Sequence, residues 1–402
     1  NRDVNKMRLA AELDAAHVAE GRPDAAFSAW WDPKAPTLAE YLSHHEAPDT
    51  QESRLRWMLR HTLGSPEAFE HRRHELALLR HGGVGPSTLV VSDQDVVDSF
   101  LASVRPGGEV SEYVRSAQIA AVLGGTLFVH GAAEERALGF VPSMQLFFRM
   151  NSADVVRSLP GTREGLPLHE WVDALNGFAA ASVAEWLAEP RWREDGTRGG
   201  EALMAYQCRP AVAAMSVVVT SYVDGKNIPT PEALEQDLKE GLPKCSDPRS
   251  AVVAEYLLRG GVRRVVVGHK PSGEAPATFR GAGADGCGFE VISADTNYAS
   301  ESSADKRGAS WCEVRIRLAS GGGPGSQTRL RGSLADGAGS YDFELPALGR
   351  PRGRPSSGDA LVGRQTSDGW WIRVLLEAGA SSNGGSVDEE PRYLLSRGRG
   401  RG

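Results

Sequence analysis

Two histidines of this sequence stand in matching surroundings. His130 occurs in FVHGA and His269 in VVVGHKP, so each comes at the end of a short apolar run with a glycine beside it. A neutral imidazole at a strand end is a good ligand for a transition metal such as manganese, iron or zinc. Taken singly, each histidine is better explained as an ordinary strand-end residue. Taken together, they favour a shared metal site, with the glycines expected to let the backbone turn sharply so that each ring faces a cleft.

Each histidine follows a predicted helix and a predicted strand. The first unit, EYVRSAQIAAVLGG, predicts a helix that ends in a left-handed turn at Gly124-Gly125, before a buried strand over 126–129. The second unit, RSAVVAEYLLRGG, predicts a helix that stops at Gly260-Gly261, before a strand over 265–267. A third apolar run, FEVISADTNYA, covers 289–299. Helices that alternate with short apolar strands indicate an α/β fold with a largely buried sheet, which binds ligands where its strands end.

The rest of the chain divides by composition into three parts. Residues 5–115 are predicted to be mostly helical, with Ser65 and Ser92 as helix caps. Residues 318–327 have the glycine-rich composition of a flexible linker. Residues 328–402 predict a small β-rich extension that ends in a basic Gly-Arg tail.

Composition excludes several classes of function. The 402 residues include 45 Lys and Arg against 52 Asp and Glu, a formal charge of −7, which argues against a broad nucleic-acid surface. The four cysteines show no Cys-x-x-Cys spacing, so neither a zinc ribbon nor a disulfide framework is predicted. No signal peptide and no apolar run of about 18 residues is present, so we expect an intracellular, cytoplasmic protein without a membrane partner. The sequence does not indicate an oligomeric state.

Several other catalytic motifs are incomplete in this sequence or absent from it. The glycine-rich stretches GGGPG and GAGADGCG lack the Lys-Ser/Thr ending of a phosphate-binding loop. His71 and His74 share a helix face but lack the His-Glu-x-x-His spacing of a zinc protease. No Gly-x-Ser-x-Gly nucleophile turn occurs.

Four stretches, in this order along the chain, resemble the calcineurin-like metallophosphoesterases, the family of the serine/threonine protein phosphatases. They are Asn-Arg-Asp at residues 1–3, FVHGA, VVVGHKP and ISADTNYA. The whole pattern looks most like a protist and algal branch that carries Arg in its Asn-x-Asp motif. The resemblance covers about residues 1–317, as the carboxyl-terminal portion of such a domain, apart from a helical insertion at about 5–115.

The resemblance implies a fold, a cofactor and an activity. The fold is a sandwich of β-sheets flanked by helices, and the cofactor is two divalent transition metal ions (Mn, Fe or Zn). The activity is a phosphoester hydrolase, a phosphomonoesterase or protein phosphatase acting on a phosphorylated protein or small molecule with a metal-bound hydroxide. By motif, Asn1, His130 and His269 would be metal ligands, while Tyr298 and Asp295 would lie near the substrate.

Arg2 departs from the family pattern. It stands where the family usually has the histidine that protonates the leaving group, and a guanidinium with a pKa above about 12 cannot do this near neutrality. Arg2 would instead grip the phosphate in a bidentate manner, oriented by a hydrogen bond from Arg2 to Asp3. The identity of the general acid stays open.

The residues leave two alternatives to a phosphomonoesterase. One is a catalytically inactive pseudo-phosphatase that acts as a binding module, and the other is a phosphodiesterase that acts on a nucleotide. The Asp-x-His and Gly-Asp-x-x-Asp motifs, which come first in the family, are not in this sequence. We therefore expect the chain to be a piece of a longer phosphatase that lacks its amino-terminal half.

Overall fold

The computed structural model divides the chain into two compact units. It describes residues 1–20, 35–80, 90–142, 166–194, 196–207, 215–222, 246–270, 273–282, 288–296, 310–318, 326–334, 339–348, 361–364, 366–377 and 392–397. One unit, called here the helical unit, comprises Asn1–Gln118, Pro142–Pro160 and Asn176–Ala213. The other, called the sheet unit, comprises Ile119–Val141, Gly161–Leu175 and Ala214–Gly402.

Helices fill the described part of residues 1–118, as the sequence predicts for 5–115. Their bounds are α1 Arg2–Asn5, α2 Leu9–Glu12, α3 Ala15–Ala19, α4 Leu38–His44, α5 Gln51–Trp57, α6 Ala68–Arg80, α7 Asp93–Val104 and α8 Glu109–Ser116. A 3₁₀-helix at Lys6–Arg8 and a π-helix at Met58–Thr62 interrupt the series. Further along the chain come α9 Leu168–Ala188, α10 Glu201–Tyr206 and α11 Ala251–Arg259.

Of the two predicted helix caps, the structure confirms Ser92 and not Ser65. Ser92 caps α7, which confirms that prediction. Its side chain accepts the Asp95 N–H and the Asp95 carboxylate accepts the Ser92 N–H, so the two residues form a capping box. Ser65 is not the side-chain cap of α6. That helix begins later, at Ala68, whose N–H donates to the Ser65 carbonyl in a preceding turn.

A five-stranded mixed sheet forms the centre of the sheet unit and confirms the predicted α/β class. The strands are β1 Ala120–Leu123, β2 Thr126–Val129, β3 Arg264–Val267, β4 Ala277–Ala282 and β5 Gly288–Ser293, in the order β1-β2-β3-β5-β4. Strands β2, β3 and β5 run parallel to one another. Strands β1 and β4 lie antiparallel at the two edges. The parallel strands therefore end together at one edge of the sheet.

The predicted helix that runs into Gly124-Gly125 is wrong. Helix α8 stops at Ser116, and β1 and β2 form a hairpin through these two glycines. Gly124 has φ of 55° and Gly125 has φ of 75°, which a two-residue turn between antiparallel strands requires at both positions. A glycine pair with positive φ suits a helix end as well as a hairpin, so local composition could not separate the two.

Further β layers pack on the sheet. Strands β6 Trp311–Arg317, β7 Gln327–Ser333 and β8 Ser340–Glu344 form an antiparallel sheet, and β9 Trp370–Glu377 pairs with β10 Arg392–Arg397. One apolar cluster joins Ile292 of β5 to Leu330 of β7, Tyr341 of β8 and Val374 of β9. The sheet unit therefore buries its apolar side chains between β layers, while α11 packs against β4.

The contacts divide the chain differently from the predicted domains. The sequence predicts a domain that ends at about residue 317, a linker at 318–327 and a separate extension from residue 328. Instead β6 pairs with β7 from Trp311↔Ser333 to Arg317↔Gln327, so the glycine-rich segment lies between two partners of one sheet. A glycine-rich segment between two paired strands and one between two domains can share the same composition, which explains the difference. The basic tail, at 398–402, lies outside the described residues.

Within the described ranges, no helix combines the length and the apolar character needed to cross a bilayer.

Candidate metal centre

The parallel strands bring three of the predicted site residues to one edge of the sheet. His130 directly follows β2, Gly268 and His269 follow β3, and Asp295 comes two residues after β5. Strand β3 lies between β2 and β5 in the sheet. The carboxyl edge, where α/β sheets bind ligands, therefore carries two imidazoles and a carboxylate on adjacent strands.

The two histidine rings are in direct contact. Nδ1 of His269 lies 3.3 Å from Nε2 of His130, and the ring planes meet at 71°. His130 is exposed and His269 is half-buried, so solvent reaches the pair.

This nitrogen separation fits a metal ion. Metal–nitrogen bonds of about 2.0–2.1 Å at a tetrahedral angle place two ligand nitrogens roughly 3.3 Å apart. The same separation suits a hydrogen bond between a protonated nitrogen of one ring and the lone pair of the other. The donor pair is thus compatible with a divalent transition metal such as Mn, Fe or Zn, and in its absence one ring nitrogen can hold a proton for the other.

The backbone at His269 has an uncommon conformation. Its φ is 72°, and the Lys270 N–H donates to the Gly268 carbonyl over 3.0 Å, so a γ-turn is centred on His269. A non-glycine residue held at positive φ costs of order 1–3 kcal/mol, and such strain clusters at functional sites. The expectation that the flanking glycines supply the sharp turns is wrong, since neither Gly131 nor Gly268 has positive φ.

Gly131 is instead required by a close approach of backbone. A Cβ added there would lie 2.5 Å from the Thr220 carbonyl oxygen and 2.9 Å from that of Val217. The Gly131 N–H donates to the Val217 carbonyl over 2.7 Å, and the Gly268 N–H donates to the His130 carbonyl over 3.0 Å. The turn after β2 is therefore fastened both to the turn after β3 and to the segment 215–222.

His130 and His269 are the two predicted metal ligands whose rings the structure brings into contact. Over the ranges that the structure describes, no three His, Cys, Asp or Glu side chains come close enough to share a metal ion. Asp295 is half-buried at the same sheet edge, and its predicted place near the substrate stays a prediction. Tyr298 lies outside the described residues.

The other predicted site residues belong to the helical unit. Asn1 precedes α1, and its side chain makes no capping hydrogen bond. Arg2 is exposed, and its guanidinium lies beside Gly64, where an added Cβ would come within 2.9 Å of the Arg2 Cζ. Gly64 has φ of 63°.

The predicted hydrogen bond from Arg2 to Asp3 is not found in the described part of the chain. The Asp3 carboxylate accepts a hydrogen bond from Lys6 Nζ over 2.8 Å and a longer one from the Tyr113 hydroxyl over 3.5 Å. Residues three apart on a helix face each other whereas neighbours diverge, so Asp3 pairs with Lys6 rather than with Arg2. Burial alone would raise the pKa of Asp3, but the Lys6 hydrogen bond and charge outweigh it and lower that pKa.

The segment 215–222, MSVVVTSY, is a part of the site that sequence reasoning missed. Thr220 and Tyr222 of this segment hold the residues that follow His130. Its apolar composition was the available signal, but that signal indicates burial rather than a particular neighbour.

No protein-family model matches this chain, and neither a curated protein nor a solved structure matches it.

Proposed function

We propose that this protein is a metal-dependent phosphoester hydrolase that holds a divalent transition metal through His130 and His269. The observation that carries the proposal is the 3.3 Å separation of their facing ring nitrogens at the carboxyl edge of three parallel strands. The strained backbone at His269 supports it, because strain is retained where a side chain must hold a set position. The packed β layers of the sheet unit are compatible with a metallophosphoesterase-type sandwich.

The chain's own residues would act as follows. His130 and His269, as neutral imidazoles, bind and orient the metal, which when bound supplies a Lewis acid for phosphate oxygens and for water. The remaining roles stay proposals from the resemblance: a second metal ion with Asn1 as a ligand, Arg2 as the phosphate clamp, and Asp295 and Tyr298 near a phosphorylated substrate.

The first experiment measures metal binding by the whole 402-residue chain. Isothermal titration with Co²⁺ or Mn²⁺ compares the chain with its His130→Ala and His269→Ala variants. We expect each variant to lose more than the roughly 10–100-fold in affinity that removal of an outer-shell partner costs. His169→Ala is the matched control, since His169 is exposed in the same unit and its Nε2 lies 3.1 Å from the Gly260 carbonyl oxygen. Equal affinity in all four proteins would overturn the proposed site.

The second experiment separates a hydrolase from a binding module. With Arg2 unable to donate a proton, we expect faster hydrolysis of an aryl phosphate, which has a leaving group of low pKa, than of a phosphoserine peptide. Equal rates on the two substrates would contradict the assigned role of Arg2. Metal binding without hydrolysis of either substrate would favour the second candidate, an inactive pseudo-phosphatase. The observation in its favour is Arg2, which stands where the family usually has the histidine that protonates the leaving group.

A further inference from the structure

We propose that Tyr222 is a positioning residue for His130. It acts through the His130 loop, defined as residues 130–134. The inference rests on the proposed metal site, and it adds a residue distant in sequence that neither the histidine motifs nor the family resemblance indicates.

The Tyr222 hydroxyl holds both backbone polar groups of one residue of the His130 loop. It donates to the Ala133 carbonyl over 2.8 Å and accepts the Ala133 N–H over 3.1 Å. Tyr222 is 1 % exposed and Ala133 is fully buried. Burial raises the pKa of Tyr222, so the hydroxyl keeps the proton that it donates.

The same segment holds the neighbouring residues of the loop. The Ala132 N–H donates to the Thr220 carbonyl over 3.1 Å. The Thr220 hydroxyl shares its proton between the Ala132 carbonyl, over 2.9 Å, and the Ser216 carbonyl, over 2.7 Å. The Ser246 hydroxyl donates to the Glu134 carboxylate, and the Ser246 N–H donates to the Ser221 carbonyl. The Gly131 N–H also donates to the Val217 carbonyl. Each of the residues 131–134 therefore has a hydrogen-bond partner in or beside segment 215–222.

These contacts determine where the His130 ring can stand. His130 is exposed, while Ala132 and Ala133, two and three residues after it, are fully buried. If the Tyr222 hydroxyl is removed, an N–H and a carbonyl of Ala133 lose their partner in a buried place, and the loop must shift to satisfy them. A metal-binding pair tolerates displacements of only about 0.5 Å, so a shift of the loop weakens binding without altering either histidine.

The test is Tyr222→Phe, which keeps the buried ring and removes the hydroxyl. Tyr256→Phe is the matched control. It removes a tyrosine hydroxyl of the same unit that donates to the Leu166 carbonyl over 2.9 Å rather than to the His130 loop. Two readouts are used. One is the Co²⁺ affinity by titration calorimetry, and the other is the set of ring NMR resonances of His130 and His269 in the metal-free protein.

We expect Tyr222→Phe to lower Co²⁺ affinity roughly 10–100-fold, as loss of an outer-shell partner does, and to shift the ring resonances of both histidines. We expect Tyr256→Phe to change neither. Wild-type affinity in Tyr222→Phe, beside lost affinity in His130→Ala, would overturn the inference and leave the proposed function standing. If the unsubstituted chain binds no Co²⁺, the proposed function fails. The metal-free resonances then decide the positioning role, and unchanged ring signals overturn it.

A second variant covers the case in which Tyr222→Phe does not fold. Thr220→Val removes the hydroxyl whose proton is shared between the Ala132 carbonyl and the Ser216 carbonyl, while the backbone N–H and carbonyl of Thr220 are retained. The same two readouts apply, and we expect a smaller change in the same direction because one hydrogen bond to the loop is lost rather than two. No change in either readout would overturn the inference.

Discussion

His269 combines a catalytic type of side chain with a backbone that few residues adopt. Its position in a γ-turn aims the ring across the sheet edge at His130 rather than along β3. The sequence predicts which side chain is at the strand end, because residue type and apolar run are local features. It does not predict the positive φ, since nothing in VVVGHKP distinguishes histidine from glycine as the residue that turns.

Glu134, the last residue of the His130 loop, links stability to pH. Burial is the main cause that raises its pKa above the ordinary value near 4.5, with Glu135 adding to the rise while Arg136 and the Ser246 hydrogen bond oppose it. The folded state thus binds the proton more tightly than the unfolded state does. The contribution of Glu134 to stability is complete below a pH of about 4.5 and is lost as the pH rises through the folded-state pKa.

We therefore expect Glu134→Gln to be more stable than the unsubstituted chain at neutral pH, because it removes a half-buried charge yet still accepts the hydrogen bond from Ser246. The difference should shrink as the pH falls through the folded-state pKa and be smallest below about 4.5. Urea denaturation at several pH values measures it. Glu135→Gln, at an exposed neighbouring position, is the control and should give a much smaller difference. A Glu134→Gln advantage that persisted at low pH would contradict the assigned cause.

At the scale of single elements, α7 gives the sharpest test of helix formation. The Ser92 hydroxyl accepts the Asp95 N–H over 3.1 Å, one of the N–H groups that a helix start leaves without a partner. We expect Ser92→Ala to lower the free energy of unfolding by about 1 kcal/mol. Circular dichroism during urea denaturation measures the loss.

Ser103→Ala is the control for that prediction. Ser103 lies in the last turn of the same helix, and its hydroxyl donates to the Phe100 carbonyl rather than capping a free N–H. Alanine is the better helix former and the carbonyl keeps its helical environment, so we expect a change within about 0.5 kcal/mol. Equal losses in the two variants would mean that the capping box contributes nothing specific.

Local sequence patterns predict some of the strands but not all of them. The apolar runs of β2, β3 and β5 were predicted, because continuous β-branched stretches between turns are typical of buried parallel strands. Strand β4, ATFRGA, was not predicted, because its alanines and its glycine have low strand propensity. Its pairing with β5, from Ala277↔Ser293 to Ala282↔Gly288, makes it a strand, and that partner is visible only in the fold.

At the scale of the whole molecule, the sequence does not predict which elements lie next to one another. It placed His130 and His269 at strand ends, but their adjacency depends on β2 pairing with β3 across more than a hundred residues of chain. Tyr222 lies 89 residues from Ala133 and contacts it through a hydroxyl whose partner no local pattern encodes. Both pairings come from burial of the sheet, which depends on all of its strands at once.

Metal binding should raise the free energy of unfolding of the whole molecule. A ligand that binds only the folded state stabilises it by RT ln(1 + [L]/Kd), about 2.7 kcal/mol when free Co²⁺ is 100 times Kd. We expect this gain in the unsubstituted chain and its absence in His130→Ala, read by urea denaturation with and without Co²⁺. Hydrogen exchange in β2 and β3 should slow in parallel, because both histidines extend from these strands.

The same experiment tests the predicted ligand role of Asn1, which belongs to the helical unit. If Asn1 is a ligand, Asn1→Ala reduces the Co²⁺-dependent stabilisation, since fewer donors give a weaker Kd at the same metal concentration. Asn5→Ala is not a suitable control, because the Asn5 amide is buried and donates to the Thr62 carbonyl. Arg60→Ala, at an exposed position of the same unit, is suitable. Undiminished stabilisation in Asn1→Ala would confine the metal centre to the two histidines of the sheet unit.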